Sequence, residues 1–312
     1  MSFQGDLLKY GIDTYGNGVK VNGFLQSRNL ARSQGDVYYV DDSGTDSASG
    51  VRGKTPDKPF ASIDFAIGQC TANQGDVIYA MPGHAETIST ATGLVADIAG
   101  ISIIGIGSGE DRPKLTLSAA ASKVSITAAS VRFQNFILIS SFTGGVNIGV
   151  SLGASANGCV LKDLEFRETA NTKEWLIGIN VAADCDNILI EGLRYFGIDG
   201  GSTTQVIKFA GGSDYSIVRD FLIYVDASGA VIDALTAASL FLTIGNGVIH
   251  NLDTGAGLSV SVKSDTTGFM HDLRISALKE GVSPAGAAMA ISEVYVSNVI
   301  FKQGFYSIAQ DA

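Results

Sequence analysis

Four stretches decide how this sequence folds: Phe133-Gln134-Asn135-Phe136-Ile137-Leu138, Leu161-Lys162-Asp163-Leu164-Glu165-Phe166, Ile190-Glu191-Gly192-Leu193-Arg194-Tyr195 and Val218-Arg219-Asp220-Phe221-Leu222-Ile223. Each runs apolar, polar, then Asn, Asp or Gly, then alternates apolar with other residues. The order continues around Gly247, Asp272 and Asn298, so the centres recur roughly every 27 residues from Asn135 to Asn298. A period of that size is the mark of a repeat architecture. A second apolar pair lies upstream of several centres, as with Val150 and Leu152, Ile179 and Val181, and Ile207 and Phe209. Period-two alternation in both places predicts strands, and the connections are Gly/Ser/Ala/Asp turns without a helical pattern. A leucine-rich solenoid would need leucine in fixed columns and a helical return. Here Phe, Ile, Val and Leu share the columns, and a parallel β-solenoid is expected.

The composition agrees with stacked coils. The chain has 312 residues, of which only 17% are charged, and it carries 38 glycines but 5 prolines. An average chain has about a quarter charged residues and about 7% glycine. Apolar residues make up 46%, too many for a disordered chain, and none of their runs approaches the ~20 residues of a membrane-spanning helix. Mean hydropathy is +0.24 and the isoelectric point is near 4.7, which argues against the basic footprint that nucleic-acid binding needs. The opening Met1-Ser2-Phe3-Gln4-Gly5-Asp6 lacks the basic and apolar regions of a secretion signal. Three cysteines, Cys70, Cys159 and Cys185, are scattered and read as small apolar fillers.

Residues 37–74 read as a cap and 75–312 as about nine coils, with 1–36 as an N-terminal arm or docking segment. In the cap, Val37-Tyr38-Tyr39-Val40 is a strand, and Ile63, Phe65, Ala66, Ile67 and Cys70 suit one face of a short helix covering the first coil. The order Tyr39-Val40, Gly44-Thr45-Asp46, Pro59-Phe60-Ala61-Ser62-Ile63, Gly75-Asp76-Val77-Ile78-Tyr79, Pro82-Gly83 and Glu86-Thr87-Ile88 resembles the start of right-handed single-stranded parallel β-helix proteins of the pectate-lyase-like superfamily. That resemblance implies an all-β right-handed β-helix. Its members include pectin and alginate lyases, polygalacturonases, epimerases and bacteriophage tailspike or other virion proteins.

The catalytic sets of the lyases and polygalacturonases have no convincing counterpart here. His84 reads as a turn residue. Asp163, Asp220 and Asp272 share one column on alternate coils, about 9–10 Å apart by strand spacing, at the upper edge of what inverting glycosidases use. The Asn and Gly residues in the same column favour a ladder of corners. Asp184-Cys185-Asp186 reads as a solvated turn and His250 as a hydrogen-bonded core residue; no metal or cofactor is expected. Gly105-Ile106-Gly107-Ser108-Gly109 lacks the Lys-Ser/Thr ending of a phosphate loop.

Two positions after each centre, side chains should point outward, yet Ile137, Leu222, Ile249 and Ile300 are apolar. These are the interface candidates. From the resemblance, the leading expectation is a non-enzymatic bacteriophage virion protein, a head-decoration, head-fibre or tail-associated subunit. It would be a homotrimer assembled in the host cytoplasm, its arm bound to capsid or tail, without nucleic-acid or membrane partners. The alternative is a polysaccharide-degrading lyase or glycosidase, with Asp163, Asp220, Arg219 and Arg194 as the residues to test, or a carbohydrate-binding β-helix without turnover.

Overall fold

The computed structural model describes residues 35–253 and 258–277, together with the backbones of five short flanking strands. Three of these, Ile12–Tyr15, Gly18–Val21 and Phe24–Gln26, form an antiparallel meander within 1–36. The described residues from Val37 onward form a parallel β-solenoid with three faces. The first face stacks Val77–Ala80, Ser102–Gly105, Arg132–Gln134, Val160–Lys162 and Leu189–Glu191, with Val37–Val40 added at its end. The second stacks Ala85–Ile88, Lys114–Leu117, Ile137–Ser140, Glu165–Glu168 and Arg194–Phe196. The third stacks seven strands from Leu94–Ala96 to Leu258–Val262. Later strands, Ile217–Val225, Leu242–Asn251 and Gly268–Ala277, run through the first and second faces without a break.

Seven coils are complete among the described residues, and two more begin at Gly268 and Val294. The expected nine is therefore seven full turns plus two partial ones.

The core is three vertical ladders. Ile78, Ile103, Phe133, Leu161, Ile190, Val218, Ile244 and Met270 lie over one another on the first face. Leu115, Leu138, Phe166, Tyr195, Ile223, Ile249 and Ile275 do so on the second. Leu94, Val124, Val150, Ile179, Ile207, Ile232 and Val260 do so on the third. All are buried, and no coil could bury its share alone.

From the third coil onward the turn between the first and second faces is one residue in the left-handed region: Asn135, Asp163, Gly192, Asp220, Asn246 and Asp272 have φ between 52° and 72°. The side chains that best tolerate this conformation are Gly, Asn and Asp, which is why the column looked like a corner ladder. One centre was misplaced: the corner of the seventh coil is Asn246, not Gly247. Gly247 follows it because a Cβ there would lie 2.2 Å from the Phe221 ring. With that shift Ile244 and Ile249 take the inward positions, and His250, expected in the core, points outward. A second left-handed corner, between the third and first faces, holds Ser130, Gly158, Asn187, Tyr215 and Phe241.

The cap explains the motif residues that carried the resemblance. Asp76 accepts from Asp36 N at 2.7 Å and Thr71 N at 2.6 Å. Asp46 accepts from Ala61 N and Ser62 N at the start of helix α1, Ile63–Ile67. Glu86 accepts from Ile63 N at 3.1 Å and contacts His84 Nε2 at 3.3 Å. His84 closes the expected turn, its N–H donating to Met81 O at 3.1 Å, and its ring is also a fully buried part of the cap seat. Those residues are structural, which is why the resemblance spoke for the fold and said little about activity.

Candidate functional site

The second coil breaks the one-residue corner rule. Between Ser102–Gly105 and Lys114–Leu117 the chain makes a strap containing the short turn Gly109–Asp111. Gly107 has φ 119°, and a Cβ there would meet Asp111 O at 2.5 Å. Asn135 Nδ2 holds the strap from below, donating to Gly105 O at 2.8 Å and Gly107 O at 3.1 Å. Arg112 reaches two coils on, donating to Asp163 O at 3.3 Å and to the Glu165 carboxylate. Arg167 of the fourth coil reaches back to Glu110 through two bonds of 2.7 and 3.1 Å.

Beside the strap an open groove of about 340 Å³ lies over coils two to five, its charged side chains being Arg112, Asp163, Glu165, Arg167 and Arg194. Glu165 is buried, its second oxygen taken by Arg167 Nε at 2.5 Å. Bonds from Arg167 and Lys114 hold the Glu110 carboxyl down at about 2, so the clamp closing the strap persists far into acid. Asp163 leans over the next coil: a Cβ at Gly192 would lie 2.4 Å from Asp163 Oδ1. Gly192 therefore gives space as well as its φ of 72°. Arg194 is exposed at the groove's edge, and its guanidinium has no hydrogen-bond or ion-pair partner among the described residues.

The four residues named for an enzyme divide between two places. Asp163 and Arg194 line the groove. Asp220 does not; its carboxylate accepts from Asn246 Nδ2, a corner ladder contact. Arg219 lies on the first face, bonded to Glu191 beside Lys162. The interface candidates also divide. Leu222 is 40% exposed, but Ile137 and Ile249 are buried. Ile137 lies in the coil that Arg112 crosses to reach Glu165, so the same chain covers it. Ile249 points inward because of the register shift, and the outward residue is Val248, 38% exposed. Ile300 has a described backbone, but its side chain lies outside the described residues. His250 is outward, stacked on Tyr224 with ring centroids 5.1 Å apart.

The sequence reading missed Glu110, Arg112 and Arg167. The signal for Glu110 and Arg112 is the long gap between the second coil's first two strands, Ser102–Gly105 and Lys114–Leu117. Glu168 was also missed. It points into the core, where Tyr195 OH, Thr203 Oγ1 and Ile198 N donate to it at 2.8–2.9 Å, and burial pushes its carboxyl up. The cysteines are unpaired, and burial pushes the Cys70 and Cys185 thiols up to about 12 and Cys159 to about 11. Among the described residues no group of three His, Cys, Asp or Glu side chains is placed to hold a metal ion, and no helix is long and apolar enough to cross a membrane.

No protein-family model matches the chain, and no curated protein matches it in sequence. Solved structures do match in shape. A pectin methylesterase crystallised in complex with a hexasaccharide superposes with a TM-score of 0.51 at 11% identity, over 87% of this chain and 91% of its own. A rhamnogalacturonan lyase superposes with a TM-score of 0.50 at 13% identity, over 88% and 90%. The chain therefore shares the parallel β-helix fold of these structures.

Proposed function

We propose that the protein binds a polysaccharide in the groove beside the strap of the second coil. The observation that carries this reading is the groove itself. An exposed face of the rod holds a polar concavity of about 340 Å³, within the size range of ligand sites. Its guanidiniums, carboxylates and glycine backbone can match the hydroxyls of a sugar chain lying across the coils. Asp163 and Arg194 are the groups with capacity left for a ligand, because Glu165 already has a guanidinium on each oxygen. The names of the two structural neighbours, one bound to a hexasaccharide and one a lyase of a polysaccharide, support the same direction. Binding without turnover fits better than hydrolysis, since the sequence's catalytic pair of Asp163 and Asp220 is split between the groove and a corner bond. A virion subunit is the second reading, favoured by the exposed apolar residues of coils five to seven.

The test is retention of the protein in gels containing acidic or neutral polysaccharides, with reducing ends and unsaturated products followed in parallel. Retention by at least one glycan, weakened about tenfold in Arg194→Ala and in Asp163→Asn, is expected. Absence of retention across the panel, or retention unchanged in both variants, would overturn the reading. Product release lost in Asp163→Asn would replace binding by catalysis.

A further inference from the structure

The three guanidiniums that line the groove stand in three different states. Arg112 is full: it donates to Gly109 O and Asp163 O, both at 3.3 Å, and to the Glu165 carboxylate. The Arg194 guanidinium has no hydrogen-bond or ion-pair partner among the described residues. Arg167 gives its Nε to Glu165 at 2.5 Å and its two terminal nitrogens to the two oxygens of Glu110, at 2.7 and 3.1 Å. That last contact is a parallel two-bond pair, the geometry in which an arginine recognises an oxyanion of any origin. Glu110 also differs from the groove's buried carboxylate. Its side chain is 66% exposed against 8% for Glu165, and it rides on an insertion that the one-residue corners from the third coil onward do without.

The strap keeps its place without this pair. Arg112 ties it to the fourth coil, and Asn135 Nδ2 holds the carbonyls of Gly105 and Gly107 from below; an exposed ion pair adds little to such anchors. Glu110 has a second seat as well, Lys114 Nζ at 3.3 Å. The preceding Gly109 has open space where a Cβ would stand, so the carboxylate can pass wholly to Lys114 while every anchor stays made. We propose that Glu110 is a built-in competitor: it occupies Arg167 in the free protein and yields it to an anionic substituent, a carboxylate or a sulfate, on the sugar chain in the groove. Arg167 then selects charged over neutral glycans, because a neutral hydroxyl is a poor replacement for a charge-assisted two-bond pair. The chain's formal charge of −10 repels anions in general, so their selection rests on this local cluster. The inference rests on the groove being the sugar site, and it adds the class of substituent and the contact that regulates its entry.

Titration of the full chain with sodium glucuronate and with sodium sulfate, followed by nuclear magnetic resonance at the Arg167 Nε–H, tests this without a polysaccharide. Both anions should move that signal, and glucose should not. Glu110→Gln removes the competing charge and keeps the shape, so it should tighten binding of the preferred anion at least fivefold; the anion with the larger gain identifies the substituent. In the polysaccharide gels, Glu110→Gln should raise retention by glycans bearing that substituent and leave retention by neutral ones unchanged. Should no glycan retain the protein, the sugar-binding reading of the groove fails, while the ion titration still decides whether Glu110 competes for Arg167. An Arg167 signal indifferent to both anions, equal affinities in the wild type and Glu110→Gln, or weaker binding in the variant would each overturn the proposal. So would a lower melting temperature with unchanged anion affinity, the result expected of a purely structural tie.

Discussion

Glu165→Ala is the sharpest test of how the groove is built. The carboxylate is 8% exposed and carries Arg112, 12% exposed, and Arg167, 30% exposed. Removing it leaves a largely buried guanidinium without its counter-charge, a change that costs about 3–5 kcal/mol in buried pairs. Arg167 keeps Glu110, and Arg112 keeps the carbonyls of Gly109 and Asp163, so the lower end, about 3 kcal/mol, is expected. In a chain of this length that is a melting-temperature loss of roughly 6 °C, with a lower urea midpoint at unchanged slope. The double variant Glu165→Ala/Arg112→Met should recover most of the loss, because an apolar pair of similar shape removes the orphaned charge. A loss below about 1 kcal/mol for Glu165→Ala, or no recovery in the double variant, would refute the claim that this ion cluster ties the strap to the fourth coil.

Two further outcomes follow from the interior. Gly178→Ala should destabilise by about 1–3 kcal/mol in thermal melts, since its Cβ would sit 2.6 Å from Val206 O and 3.3 Å from the Tyr195 ring; a neutral effect would mean the third face does not bend there as described. Glu168 binds its proton more tightly folded than unfolded, because burial raises its carboxyl. Stability should therefore fall as pH rises from the ordinary carboxylate range through the raised folded value. Glu168→Gln should flatten urea-midpoint profiles across that window, and an unchanged slope would remove Glu168 as the cause.

The coil was legible in the sequence because its physics is local and repeated. An inward residue must be apolar at every level, and a one-residue corner must accept a left-handed backbone, so Asn135, Asp163 and Asp220 announced themselves. The misplacement at Gly247 shows where that logic is ambiguous. Asn246 and Gly247 both suit a corner, and only the Phe221 ring overhead decides between them. The groove was half legible. Asp163 and Arg194 stand in readable columns, whereas Arg112 and Glu110 belong to an insertion that meets its partners two coils away, a pairing that no period encodes. Ile137 was misread as outward and free, although it is buried between the neighbouring coils' Lys114 and Glu165 positions. The corner aromatics Tyr215 and Phe241, stacked 5.1 Å apart, hid because large rings seldom occupy the left-handed region.

The most direct measurement is hydrogen exchange of the protein with and without an oligosaccharide cut from whichever polysaccharide retains it. Protection concentrated at Gly107–Arg112, Asp163–Arg167 and Gly192–Arg194, and lost in Arg194→Ala, is the predicted result. Protection centred on the first or third face, with these segments unchanged while the sugar is bound, would contradict the assignment of the groove.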